Sequence, residues 1–176
     1  SRAEAVVRLK LSPENRFILF FGFIREYKGL DLLIRAMAEQ CVRDLGVKLI
    51  VAGEFYEREK PYFHLIHKLE IGDKITFHSH FISDDEVKYY FSAASLVVQP
   101  YRSATQSGVT QVAYHFKKPM IVTNVGGLPE IVPDGVCGYV VEPDPVAIAG
   151  AICDFFGGDE NRFESGIGEK KKEYSW

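Results

Sequence analysis

No apolar run in this 176-residue sequence approaches the ~18 residues needed to cross a bilayer, so it offers no helical membrane span. The short signatures of common nucleotide and hydrolase sites are missing too: there is no GxGxxG fingerprint, no Walker phosphate loop and no GxSxG elbow. Cysteine is scarce. Cys41, Cys137 and Cys153 are odd in number, widely spaced and form no CxxC pair, which fits reduced, mostly buried thiols of a cytoplasmic protein rather than a disulfide framework. Cations are not in excess. A formal net charge of −3 gives no bulk attraction to nucleic acid or to an anionic membrane, so any anion site must be local. No signal-peptide pattern precedes the first strand, in keeping with a cytoplasmic protein, although the parent chain can still touch a membrane through another segment. His64 with His67, and His78 with His80 on one face of a strand end, have no cysteine or carboxylate at ligand spacing, and no metal is expected.

What is present is the composition of one soluble globular domain, 47% hydrophobic and 26% charged. Six short apolar runs recur: Phe17 to Gly22, Val47 to Gly53, Lys74 to Phe77, Leu96 to Gln99, Met120 to Thr123 and Gly138 to Val141. Near-continuous apolar runs suit strands buried on both faces of a parallel sheet. Helical patterns separate them. Leu30, Leu33, Ile34, Met37, Ala38 and Cys41 form one stripe; Ser83 with Glu86 makes a capping box; Asp144 and Pro145 read as an N-cap and first-turn proline. The expected fold is α/β, a Rossmann-like doubly wound parallel sheet of about six strands in the order 3-2-1-4-5-6, because right-handed crossovers leave few alternatives.

In such sheets ligands bind beyond the carboxyl ends of the strands, where the winding reverses. Three unusual segments fall there. FFGFIREYKG ends the first strand; its Gly22 allows a sharp turn, and Arg25 and Lys28 place two cations at a helix start, which suits either a phosphate or a solvated surface pair. PYRSATQSGVTQ follows the fourth strand with Ser103, Thr105, Gln106, Ser107 and Gly108, small or polar residues that admit a ligand close to the backbone and to the N–H groups of the next helix. NVGGLPE follows the fifth, where Gly126 and Gly127 suit either a plain turn or a ligand contact. Thirteen phenylalanines and nine tyrosines fall largely on buried patterns, so they do not require a base-stacking platform.

The blocks FFGFIREYKGLDLLIRAM, VAGE, AASLVVQPYRS, SGVTQVAYHFKKPMIVTNVGGLPEIV and DGVCGYVVEPDP, in this order from about Phe17 to Phe156, resemble the C-terminal domain of retaining glycosyltransferases of family 4, one half of a GT-B fold. The resemblance implies a lead-in helix and linker over 1–16, a nucleotide-sugar-binding domain over 17–157, and a tail over 158–176 leading into a crossover helix. It implies a nucleoside-diphosphate sugar donor without any further cofactor, and a missing N-terminal acceptor-binding half as partner. Lys28, directly before Gly29, matches the family lysine that holds the donor diphosphate. The family arginine directly follows the glycine, where this chain has Phe23, and its role passes to Arg25 as a displaced equivalent. The loop residues Gly22, Thr105, Gln106, Ser107 and Gly108 would line the donor sugar and phosphates. The family's paired glutamates fall on Val112 and near Ala104, and Ser95 stands where an aspartate is common; Gln111 or Gln106 remains to contact the ribose. A glycosyltransferase half is therefore expected, with a non-catalytic nucleotide-sugar-binding module or a sugar-nucleotide epimerase as alternatives. A flavodoxin-like signalling domain is disfavoured because no acidic cluster follows the first strand.

Overall fold

The computed structural model describes residues 1–104 and 108–173. Its six strands are β1 (Phe17–Phe21), β2 (Lys48–Ala52), β3 (Ile75–His78), β4 (Leu96–Gln99), β5 (Met120–Thr123) and β6 (Gly138–Val141). They form one sheet in the order β3-β2-β1-β4-β5-β6, and every pairing is parallel. This is the expected doubly wound order. β1 lies between β2 and β4, with Ile18 opposite both Leu49 and Leu96, so the winding reverses at its carboxyl end.

β4 and β5 are buried throughout and β1 and β2 at all but one end residue, which takes helices on both faces. The helices are α1 (Arg2–Arg8), α2 (Leu30–Met37), α3 (Gln40–Leu45), α4 (Lys60–Leu69), α5 (Asp84–Ala93), α6 (Gly108–His115), α7 (Leu128–Ile131), α8 (Pro145–Gly157) and α9 (Glu164–Glu173). α2 packs with α3, α4 and α8, whereas α1 packs on α5 and α6 on α9. Right-handed crossovers put these two groups on opposite faces of the sheet. The expected caps are in place: Ser83 and Glu86 close a capping box, and Asp144 caps α8 through the Ala147 N–H at 3.0 Å.

Three expectations are corrected. The stripe from Leu30 to Cys41 is not one helix. Glu39 is extended between α2 and α3, and the freed Ala38 carbonyl accepts from Arg43 Nε at 2.7 Å. A short break that keeps the apolar phase leaves no mark on the periodicity. Next, β3 begins at Ile75 rather than Lys74 and ends at His78, leaving His80 beyond the strand. Finally, Cys41 and Cys153 are not free thiols. The packing of α3 on α8 brings their Cα atoms to 6.3 Å and they form a disulfide across 112 residues of sequence. Cys137 is the buried thiol that was expected, its pKa raised by burial.

Residues 159–173 pack against the domain. Phe163 and Ile167 are buried, and Lys171 Nζ reaches the His115 carbonyl at 2.9 Å. The last three residues of the expected tail, 174–176, lie outside the described residues.

Candidate functional site

The loops beyond β1, β2, β4 and β5 are fastened to one another by backbone contacts. Ile24, fully buried, bridges Phe55; its N–H donates to the Glu54 carbonyl at 2.8 Å, and its carbonyl accepts from the Tyr56 N–H at 3.1 Å. After a tight 3-10 turn over Glu26–Lys28 the chain passes Gly29 in a left-handed conformation (φ +69°) and enters α2. A Cβ on Gly29 would lie 1.9 Å from the Pro100 carbonyl, so the turn and the end of β4 touch only because the side chain is missing. Gly126 does the same for the loop after β5, where a Cβ would sit 2.1 Å from the Ala104 carbonyl.

Arg102 completes the fastening, and sequence reasoning did not single it out. Its guanidinium pairs with both Asp31 oxygens at 2.7 and 2.6 Å and donates to the Glu26 carbonyl at 3.2 Å. Its own N–H donates to Tyr27 O at 2.7 Å. The planar fork suits this bidentate geometry and holds the loop after β4 against the loop after β1.

Lys28 is half-buried inside this frame. Its Nζ lies 3.3 Å from where a Cβ on Gly22 would be, and Val109, in the first turn of α6, lies 3.8 Å from the same point. The ammonium therefore lies over the glycine turn beside the start of α6. It forms no ion pair among the described residues. Burial first, and then the charge of Arg25, hold its pKa below the ordinary lysine value. A partly desolvated cation with no ion-pair partner among the described residues, beside a helix start, is chemically suited to an anion.

Arg25 is placed differently. Phe23 and Tyr56, both exposed, stack with centroids 4.3 Å apart. Lys28 Nζ lies 5.9 Å from the Phe23 ring, and the Arg25 guanidinium lies 5.4 Å from the Tyr56 ring. The two cations thus bracket an aromatic pair instead of standing side by side on Gly22. Phe23 had appeared only as a departure from a pattern, and nothing in the sequence signalled that Tyr56, on a different loop, would meet it.

Of the remaining predicted residues, Gly108 opens α6 and is exposed. Gln111 is exposed on α6, while Val112 packs partly into the core. Thr105, Gln106 and Ser107 lie outside the described residues. On the other flank of the Glu26–Lys28 turn is a hollow of about 540 Å³ walled by Glu26, Asp31, Glu57, Arg58, Tyr62 and Arg102. Burial, together with the carboxylates of Glu57, Asp31 and Glu26, pushes the Tyr62 hydroxyl up to about 12. The three carboxylates outnumber the two arginines on that wall, and Arg102 is already paired with Asp31.

Among the described residues no group of three or more His, Cys, Asp or Glu is arranged to hold an ion. His64 and His67 are exposed on α4, and His78 Nδ1 is 2.8 Å from the Tyr90 hydroxyl. No described helix is long and apolar enough to cross a membrane.

The sequence profile of the family described as glycosyl transferases group 1 matches residues 15–157. A D-inositol 3-phosphate glycosyltransferase from Mycolicibacterium gilvum is 30% identical over 99% of this chain and 40% of its own length. Among solved structures, the C-terminal domain of a glycosyl transferase group 1 family protein from Francisella tularensis superposes with a TM-score of 0.86 at 22% identity, covering 99% of this chain and 93% of that one. The sucrose-phosphate synthase from Thermosynechococcus elongatus gives a TM-score of 0.83 at 26% identity, over 97% of this chain and 43% of that one. The chain thus spans about two fifths of the length of the curated relative, and its sheet is the Rossmann-like sheet of these GT-B-type glycosyltransferases. With the profile covering most of the chain, including the loops that hold Gly22, Lys28 and Gly108, the chain belongs to the glycosyl transferases group 1 family.

Proposed function

We propose that this chain is the C-terminal, donor-binding half of a retaining glycosyltransferase of family 4, and that it grips the diphosphate of a nucleoside-diphosphate sugar. The observation that carries the reading is Lys28: half-buried, without an anionic partner among the described residues, and set between Gly22 and the first turn of α6. Negative charge grows on the departing diphosphate during transfer. An ammonium held beside a helix start stabilises that charge with little reorganisation, in the role a divalent metal would otherwise fill. Arg25, at the outer end of the aromatic pair, adds field from the mouth of the site. Gln111 is the side chain left to contact the ribose.

Support for a partner half comes from length, since the chain accounts for 40% of the D-inositol 3-phosphate glycosyltransferase it matches. The superposition on a separately solved C-terminal domain supports the placement. The acceptor would then be oriented by the other half, and this chain alone should bind donor but transfer nothing.

A second reading has its own observation. The positions of the family glutamates hold Val112, packed partly into the core, and Ala104, against Gly126. Neither can touch a sugar hydroxyl with a carboxylate, which favours a non-catalytic nucleotide-sugar-binding module. Incubating the full-length parent with labelled UDP- and GDP-sugars and candidate acceptors decides between them. A glycosylated product with the donor's anomeric configuration supports the proposal. Donor binding without turnover supports the module, and an epimerised free sugar nucleotide or an inverted product overturns both.

A further inference from the structure

At the opposite end of the sheet, where β4 and β5 begin, a recessed cavity of about 290 Å³ opens between α1, the ends of α5 and α6, and α9. That is near the lower end of the range for small-molecule pockets. Arg2, Lys117 and Lys118 line it, and so do Ser92 and Ser95. Two carboxylates, Glu160 and Glu164, also face it. Glu160 is already engaged by Arg16 at 3.2 Å, which leaves three cations against one unpaired carboxylate.

The Arg2 guanidinium is held in place but not neutralised. Arg2 donates to the carbonyls of Pro13 and Asn15, at 3.3 and 2.5 Å, neutral acceptors that fix the guanidinium and leave its charge. Lys118 is half-buried and forms no ion pair among the described residues. Burial, and then the neighbouring charge of Arg2, lower its pKa. The hydroxyls of Ser92 and Ser95 make no hydrogen bond among the described residues. Burying an unpaired ammonium beside a guanidinium costs free energy that nothing in the fold returns.

We propose that this cavity is a second anion site, remote from the Gly22–Lys28 site, that takes the phosphate group of a small phosphorylated metabolite. A tetrahedral dianion accepts from several donors at once, which matches three cations and two hydroxyls better than a single carboxylate would. The recess, with Glu160 and Glu164 on its wall, opposes the flat polyanion of a membrane or a duplex. Four-residue strands of roughly 13 Å separate the two ends of the sheet, so one ligand cannot span both sites.

The test is a titration of the 15N-labelled chain with inorganic phosphate and, separately, with glucose 6-phosphate. Saturable shifts are expected at amides 92–95, 117 and 118. Tighter binding of the ester identifies a sugar phosphate, and equal affinity identifies the free anion; both support the site. Lys118→Met and Arg2→Gln should each weaken this response about tenfold or more, while Lys28→Met leaves it unchanged. The proposal is overturned if these amides fail to saturate by about 10 mM, an affinity too weak for a built site, or if the shifts survive both substitutions. It is likewise overturned if phosphate moves only the residues around Gly22 and Lys28. Failure here leaves the donor-site reading standing, because that reading is tested at Lys28.

Discussion

Replacing Lys28 with methionine should separate ligand affinity from stability. The wild-type ammonium is half-buried against Gly22 and has no counter-charge among the described residues. In the free protein that charge is a cost, and methionine keeps most of the aliphatic stem while removing it. In the complex the diphosphate supplies the missing partner. A hydrogen bond to a charged group contributes roughly 1.5–3 kcal/mol, and at about 1.4 kcal/mol per decade its loss weakens the dissociation constant about 10- to 100-fold. The sign of the pH dependence follows from the lowered pKa. The folded chain holds this proton less firmly than the unfolded chain does, so Lys28 adds stability as pH climbs through its lowered pKa towards 10.5. A bound diphosphate holds the proton more firmly, so affinity falls over the same window. Isothermal titration with UDP at fixed low salt, beside thermal unfolding without ligand, reads both quantities. The expected result is a large loss of affinity with an unchanged or raised midpoint. Equal affinities, or a lowered midpoint with affinity retained, would return Lys28 to a structural role and refute the reasoning.

Other substitutions probe the frame around it. Gly29→Ala should destabilise the domain by about 2 kcal/mol or more in urea unfolding, because it adds a left-handed φ penalty to a contact with the Pro100 carbonyl. Arg102→Met removes a partly exposed bidentate pair and should cost about 1 kcal/mol, with amide shifts on both loops it joins. Tyr90→Phe should cost about 1 kcal/mol by removing the hydroxyl that meets His78 Nδ1. His78 has its pKa lowered by burial and by His80, so the unfolded chain binds the proton more readily. Stability should therefore fall as pH drops below 6.5, and His78→Gln should flatten that slope in melts from neutral to acidic pH.

The fold was legible because its signals are local and redundant. Strands buried on both faces must be nearly all apolar, so Phe17–Phe21 and Met120–Thr123 could be read directly, and chirality supplied the order. The features that escaped depend on pairs of distant residues. Nothing near Cys41 points to Cys153, and nothing near Asp31 points to Arg102. The break at Glu39 escaped for a different reason, since it preserves the apolar phase. In the candidate site, Lys28 drew notice because a cation at a helix start is mildly unfavourable without compensation. The position of Arg25 was not, because it depends on Tyr56 from another strand's loop stacking on Phe23.

The central claim is that the Gly22–Lys28 turn and the start of α6 hold a nucleoside diphosphate. The most direct measurement is a crystal structure of the 176-residue chain soaked with UDP at saturating concentration. The account predicts the diphosphate over Gly22, with Lys28 Nζ and the first N–H groups of α6 within hydrogen-bond distance of its oxygens. A diphosphate bound elsewhere on the domain, or a turn left empty while UDP saturates the protein in solution, would contradict it.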